Sequence, residues 1–217
     1  VTVPLLILTA LRPQAKNPRN VSLDELFTKS RFEEDYRIKN PTGHWLGSLM
    51  TVLDRLAWPF EKYIPNYFVN RGIARAMNFI TERLNGEDGL GGIFPAMANA
   101  LMAFDALGIP KDHPNVITAR KAIEKLLIFQ DDEAYCQPCL SPVWDTGLAA
   151  HAMLEADKAS GPHAIEDDTI AKSCNWLEEL QIKDCFGDWA IWRPGIRPGG
   201  WAFQYRNDYY PDIDDTA

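Results

Sequence analysis

The sequence has little positive charge and no long hydrophobic run. Its 22 Lys and Arg residues stand against 30 Asp and Glu residues, which gives a formal net charge of −8 at pH 7. A partner with a phosphate backbone requires a basic protein face, so this balance argues against nucleic acid binding. No apolar stretch approaches the ~18 residues of a membrane-spanning helix. We therefore expect neither a nucleic acid partner nor a transmembrane segment.

Cysteine is also scarce, and the metal-binding residue types do not cluster. Four cysteines in 217 residues are too few for a disulfide-stabilised scaffold. Cys136 and Cys139 form one C-x-x-C pair, but Cys174 and Cys185 have the wrong spacing for a second pair of zinc ligands. The acidic cluster Asp131–Glu133 lacks the D-D-x-x-D spacing that holds magnesium for diphosphate ionisation. We expect reduced thiols, no metal and no cofactor.

Hydrophobic residues recur at helical spacing in much of the chain, and Gly- or Pro-rich loops separate these segments. The predicted helices cover 45–58, 72–84, 95–107, 115–130, 142–159 and 168–180. A capping-box pattern, Ser22 with Glu25, predicts a further helix to about Ser30. No segment of useful length alternates with period two, so the sequence predicts no strand.

The helical segments form an internal repeat. The pairs Phe79-Ile80, Leu126-Leu127 and Trp176-Leu177 recur 47 and 50 residues apart, each late in a helix and before a loop and a Pro-led helix. One helix pair cannot bury its own apolar face, so the pairs must stack. The sequence therefore predicts an all-α fold, and the repeat alone leaves an open solenoid and a closed α/α barrel as alternatives.

The repeat loops carry a recognisable pattern. Gln181, followed by Gly187-Asp-Trp189, matches Q-x2–5-G-x-W, the Gln–Trp repeat of triterpene cyclases. The segment Gly199-Gly-Trp-Ala-Phe-Gln-Tyr205 and the following Tyr209-Tyr-Pro-Asp-Ile-Asp-Asp215 resemble the acid-motif region of bacterial squalene–hopene cyclases, which carries D-x-D-D. Segments 45–50 and 137–146 resemble the same family, so the similarity covers essentially all 217 residues.

The resemblance implies a fold and a division of the chain. It implies an α/α barrel (toroid) of stacked helix pairs with Gln–Trp repeat loops, incomplete in this chain. Residues 1–70 would form the N-terminal helical region of the cyclase. Residues 71–217 would form barrel repeats that carry the Gln–Trp loop and the D-x-D-D motif.

The resemblance also implies a reaction: cyclisation of squalene to hopene, with hopanol as by-product, started by protonation of an alkene. The middle aspartate of the motif, here Asp214, would be the proton donor. An alkene is a very poor base, so the donor must still be protonated when the substrate arrives. Asp212 and Asp215 would help, because clustered carboxylates cannot all ionise at close range.

The family's cavity residues map onto three positions. Trp144 and Phe203 match aromatic residues that line the cavity and stabilise carbocations, since an aromatic face attracts a cation without bonding to it. Ile93 matches a residue that shapes substrate folding.

The Gln–Trp residues Gln181, Gly187 and Trp189 have a structural role in the family. There, the Gln amide caps a helix end and the Trp ring stacks on it, which braces the helices. We therefore expect these three residues to contribute to stability and not to catalysis.

Family members are roughly three times longer than this chain, so we expect an internal piece from the N-terminal half of such a protein. By itself the piece would be inactive, with the His partner of the acid outside it, and would aggregate or pair with another copy. The full-length protein would be monotopic, on the cytoplasmic face of the bacterial inner membrane. Two alternatives are a class II cyclase of another polyprenoid and a non-catalytic α/α solenoid that binds an isoprenoid or a protein.

Overall fold

The computed structural model describes residues 2–14, 16–160 and 167–216. Helices dominate this part of the chain. The α-helices are α1 (Thr2–Leu11), α2 (Trp45–Ala57), α3 (Asn66–Arg83), α4 (Phe94–Ala106), α5 (Pro114–Lys125), α6 (Pro142–Ser160), α7 (Asp167–Leu180) and α8 (Ile213–Thr216). Short 3-10 helices occur at Asp24–Leu26, Trp58–Tyr63 and Asp188–Ile191. The chain divides into two compact units, residues 12–72 and residues 1–11 with 73–217.

The core of the larger unit lies where α4 packs against α1 and α5. Its fully buried large side chains are Ile7, Ile80, Met97, Phe104 and Leu126. Alanines line the facing helix surfaces and are buried as well: Ala96, Ala100 and Ala103 on α4, with Ala119 and Ala122 on α5. Side chains this small allow two helix backbones to approach closely, so these helices form the rigid part of the unit.

A short hairpin, β1 (Leu84–Asn85) with β2 (Gly89–Leu90), connects α3 to α4. Gly89 has a φ of +67°, and a Cβ there would lie 2.5 Å from the Cβ of Ala122. Only glycine accommodates both that backbone conformation and that contact with α5. The Gly-rich loop between the predicted helices 72–84 and 95–107 therefore contains a hairpin packed tightly against a helix.

A second hairpin contradicts the prediction that the chain has no strands. β3 (Leu127–Gln130) pairs antiparallel with β4 (Glu133–Cys136), and α5 ends at Lys125 and not at residue 130. Asp131 turns the chain with a φ of +40°. The run 127–130 is too short for its periodicity to separate a strand from a helix end, and its Ile and Phe favour the extended form.

The smaller unit contains α2 and two short 3-10 helices, Asp24–Leu26 and Trp58–Tyr63. The predicted helix over 45–58 is confirmed, and His44 starts it by accepting the Leu46 N–H on its Nδ1 at 3.3 Å. The predicted helix after Ser22 is wrong, because only Asp24–Leu26 is helical. Ser22 Oγ accepts the N–H of Asp24, two residues on, whereas a capping box requires the N–H three residues on.

The apolar side chains of α2 are mostly exposed in this structure: Trp45, Leu46, Leu49, Met50, Val52, Leu53 and Leu56. In the part of the chain that the structure describes, no helix is both long and apolar enough to cross a bilayer.

Phe104→Ala should lower the free energy of unfolding by about 3–5 kcal/mol, because it removes a fully buried ring and leaves a cavity between α4 and its neighbours. Phe32→Ala is the matched control. The Phe32 ring is 84% exposed, and its removal should change stability by about 0.5 kcal/mol or less. Urea unfolding of both variants checks this, and equal losses would mean that the core is placed wrongly.

Candidate functional site

Three hydrogen bonds tie the segment 199–201 to the C-terminal end of α7. The side-chain amide of Gln181 donates to the Gly199 carbonyl at 2.6 Å, and the Ile182 N–H donates to the Gly200 carbonyl at 2.9 Å. The Trp201 indole N–H donates to the Leu177 carbonyl at 2.6 Å. Leu177 carries one of the last four carbonyls of α7, which have no partner within the helix. The segment therefore caps the C-terminal end of α7, and the same three hydrogen bonds fix the position of the segment.

The same segment pairs with the acidic motif. Trp201 and Asp212 form an antiparallel bridge in which the Asp212 N–H donates to the Trp201 carbonyl at 2.7 Å. The Thr216 hydroxyl donates to the Asp212 carbonyl at 2.5 Å and accepts the Trp201 N–H at 3.1 Å. A Cβ on Gly200 would lie 2.7 Å from that hydroxyl oxygen, so glycine permits the close approach. These contacts position α8 relative to α7.

The three aspartates of the motif have different surroundings. Asp212 is half-buried, and its Oδ1 accepts the Asp214 N–H at 2.9 Å, as an N-cap side chain does. The Asp214 side chain is exposed. Both carboxylate oxygens of Asp215 are buried and have no hydrogen-bond partner among the described residues. The backbone folds the motif so that its third carboxylate, and not its second, turns inward.

Burial raises the pKa of Asp215, and the negative charge of Asp212 adds to the effect. The main-chain N–H of Trp144, at the start of α6, favours the charged form and opposes the shift. That N–H nevertheless lies outside hydrogen-bonding geometry, since neither Asp215 oxygen has a partner. The site thus favours a neutral carboxyl at Asp215, next to the backbone of Trp144.

The predicted cavity residues lie in two places. Trp144 is beside Asp215, although its ring is 41% exposed. Ile93 is half-buried and lines a cavity of about 180 Å³ with Phe79, Arg83 and Tyr210, which Trp144 and Phe203 do not line.

Phe203 and Ile93 flank a contact between two loops. Gly92 has a φ of +65°, and a Cβ there would lie 2.8 Å from the Cβ of Gln204. Gln204 is buried and follows Phe203 directly, just as Ile93 follows Gly92. Phe203 is therefore close to the Ile93 loop through the backbone.

The Gln–Trp residues make contacts that differ in detail from the expected ones. Gln181 binds Gly199, and the indole that caps a helix end is that of Trp201. The Trp189 ring packs against Phe186 with centroids 5.9 Å apart, and its indole nitrogen is buried without a hydrogen-bond partner in the described part of the chain. The sequence motif drew attention to Trp189, while Trp201 was visible only as part of the resemblance.

Gly187 brings the Gln–Trp loop against the segment before the acidic motif. A Cβ on Gly187 would lie 2.0 Å from the Tyr209 carbonyl oxygen, which accepts the Asp188 N–H at 2.9 Å. The Asp188 carboxylate in turn accepts hydrogen bonds from two nitrogens of the Arg83 guanidinium, at 2.5 and 3.3 Å. Sequence analysis missed Arg83, because an arginine at the end of a helix is common and its partner is 105 residues away.

Within the described residues, no group of three or more His, Cys, Asp or Glu side chains is arranged to hold a metal ion.

Comparison with protein families gives two matches that together cover most of the chain. Residues 1–132 match the family model described as the squalene-hopene cyclase N-terminal domain. Residues 140–217 match that of the squalene-hopene cyclase C-terminal domain. Domains of this family have the α/α toroid fold, and the helices of this chain form an incomplete part of it.

Curated relatives agree with the family models. The chain is 49% identical over 223 residues to the squalene–hopene cyclase of Zymomonas mobilis, with 100% of this chain and 33% of that protein covered. It is 48% identical to that of Bradyrhizobium diazoefficiens (99% and 32% covered) and 34% identical to that of Alicyclobacillus acidocaldarius (99% and 32% covered). The chain spans about a third of the length of these relatives. From its family matches and its motifs, the chain belongs to the squalene–hopene cyclase family.

Proposed function

We propose that this chain supplies the acid-bearing part of a class II triterpene cyclase that converts squalene to hopene and hopanol. The activity belongs to a protein of the length of its relatives, and the 217-residue chain alone is inactive. The observation that carries the proposal is the acidic motif itself: three carboxyl groups at one helix start, one of them buried without a partner. This arrangement favours retention of a proton.

The reaction begins when the Asp214 carboxyl transfers its proton to a terminal alkene of squalene. A C–H bond forms, the O–H bond breaks, and the positive charge passes to the carbon chain while Asp214 becomes a carboxylate. A carboxyl can do this only if its neighbours keep it protonated and water is excluded. Asp212 and Asp215 serve this role, because carboxylates at close range repel one another and cannot all be charged.

Asp214 is exposed in this structure, so the proposal requires further protein around it. The chain spans about a third of its relatives, and the remaining length is available to cover the motif. Enclosure would remove water from Asp214 and give it the low-polarity surroundings that Asp215 already has.

The carbocations formed after protonation require walls that neither react nor hydrate them. Trp144 and Phe203 provide aromatic faces, which attract a cation by about 0.5–2 kcal/mol each in a dry site. Ile93 shapes the folded substrate by its bulk. The position of Trp144 beside Asp215 supports this assignment, because the first cation forms close to the acid.

The substrate and the relatives also suggest where the protein acts. Squalene is a hydrocarbon that partitions into lipid, and the relatives named above are bacterial. We extend the proposal to a monotopic protein at the cytoplasmic face of the inner membrane, which takes squalene from the bilayer.

Asp214→Asn in the full-length protein should reduce squalene consumption by about 10²–10⁴-fold or more, since an amide cannot donate the initiating proton. The substitution is nearly isosteric and adds no charge, so folding should be unchanged. Gas chromatography of products after incubation with squalene measures both rate and product.

Asp132→Asn, at an exposed position in the β3–β4 turn, is the matched control and should retain wild-type turnover. Unchanged turnover in Asp214→Asn would reject the mechanism. A product other than hopene, or consumption of another polyprenoid only, would change the assigned substrate. Measurable hopene from the 217-residue chain alone would contradict its proposed inactivity.

Asp215→Asn should make the protein more stable than wild type at pH 7, because the amide brings no charge into the buried position. Because the pKa of Asp215 is raised in the folded state, wild-type stability falls as pH rises from the usual value of 3.8 through the folded-state pKa. The neutral amide avoids this loss. The advantage should disappear below pH 3.8, where the carboxyl is protonated in both states.

Urea unfolding at pH 7 and at low pH measures the difference between variant and wild type. Asp214→Asn is the control, because its side chain is exposed and lacks the burial that distinguishes Asp215. A pH-independent effect of Asp215→Asn would show that burial of this carboxyl does not disfavour its charge.

Gln181→Leu should destabilise the protein by about 1 kcal/mol, the net contribution of one hydrogen bond, while kcat of the folded fraction stays within about twofold. Gln130→Leu removes the same amide from an exposed strand position and should be close to neutral. Thermal unfolding and product formation test the two effects separately. A large loss of kcat without loss of stability would assign Gln181 to catalysis.

A further inference from the structure

Arg83 is the last residue of α3. Among the described basic residues of the larger unit that pair with an acid distant in sequence, its side chain is the least exposed. Its side chain is 12% exposed. The guanidinium lies 3.7 Å from the centroid of the Phe79 ring and 4.8 Å from that of Tyr209. Two of its nitrogens approach the Asp188 carboxylate at 2.5 and 3.3 Å. The two rings and the two-point contact together fix the position of the guanidinium, whose fork of N–H donors lysine lacks.

The ion pair is linked to the backbone that leads into the acidic motif. Asp188 donates its N–H to the Tyr209 carbonyl at 2.9 Å, so residue 209 is held through its main chain. The Tyr209 ring lies over Arg83, so residue 209 is also held through its side chain. Asp212 follows three residues later, after Pro211, whose ring restricts the backbone φ angle. A shift at Tyr209 is therefore transmitted to the acid.

The motif is then held from both sides. Asp212 is paired with Trp201, and Tyr209 is held by Arg83 and Asp188. An ion pair that is largely removed from solvent contributes little net stability compared with apolar packing, because its charges lose water. The pair instead fixes the positions of the segments that it joins, and proton transfer to carbon is sensitive to displacements of about 1 Å.

We propose that Arg83, acting through Asp188 and Tyr209, is a positioning residue for the acidic motif Asp212–Asp215. This inference rests on the proposed function, since it concerns the same acid. Arg83 itself does not touch the reacting atoms. Its positive charge is balanced by Asp188 and covered by two rings, so it fixes the register of the segment 209–212 and adds no net charge beside the carbocation.

The test uses the full-length protein with squalene and the variants Arg83→Met, Asp188→Asn and the two combined. Each single change should lower kcat by about 10- to 100-fold and leave KM within about threefold, because the acid is misplaced while the substrate site is unaltered. The double variant should lose no more than the worse single one, since both changes break the same link.

Glu82→Gln is the matched control. Glu82 also pairs with Arg83, at 3.1 Å, but it is 60% exposed and lies outside the link to Tyr209. Its removal should leave kcat and KM unchanged. Arg83→Lys keeps the charge without the two-point contact or the planar stack, and it serves where Arg83→Met does not fold; it too should lower kcat.

Each other outcome overturns the proposal. Unchanged kcat in the folded variants would show that the link does not reach the acid. A raised KM with unchanged kcat would place Arg83 in contact with substrate, on the wall of the cavity that Ile93 also lines. Loss of folding in every variant, measured by circular dichroism, would make the pair purely structural. Asp214→Asn, assayed in parallel, separates these results from failure of the proposed function, which that variant alone tests.

Discussion

The hydrogen bonds between the end of α7 and the segment 199–201 are the constraint on which the site depends. A helix end leaves carbonyls without partners, and here Trp201 supplies one donor from its indole. Gln181 and Ile182 bind the same segment from the helix side. Because Trp201 also pairs with Asp212, the hydrogen bonds that cap α7 determine where the acidic motif lies. The same set of contacts thus stabilises one repeat and determines the geometry of the acid.

The three aspartates of the acidic motif lie at the start of one short helix, yet they differ in burial and in hydrogen bonding. Asp212 accepts a backbone N–H, while Asp215 loses water without gaining a partner, which raises the pKa of Asp215. Asp214 lies between them with its side chain exposed. Opposite environments within four residues are typical of sites that hold a proton for transfer. The burial of Asp215 without a partner is costly for folding.

Helix spacing predicted much of the fold because it is a local property. The helix over 45–57 and the Pro-led helices that begin near 95 and 142 were found from apolar periodicity and proline position. The β3–β4 hairpin was missed, because four apolar residues after a helix read equally well as its last turn. Close approaches at Gly187 and Gly200 were also beyond sequence reasoning, since the atoms they accommodate belong to distant residues.

The sequence by itself determined the family, the helical repeat and the identity of the acidic motif, because these depend on residue types at short spacing. Tertiary structure decided which carboxyl faces inward, since Asp215 is buried beside the main-chain N–H of Trp144, which belongs to another helix. It also decided that Arg83 belongs with Tyr209, a pairing that no local pattern encodes. Burial and long-range pairing arise only when separate helices pack together, and that is the physical reason why the motif was visible in the sequence and its support was not.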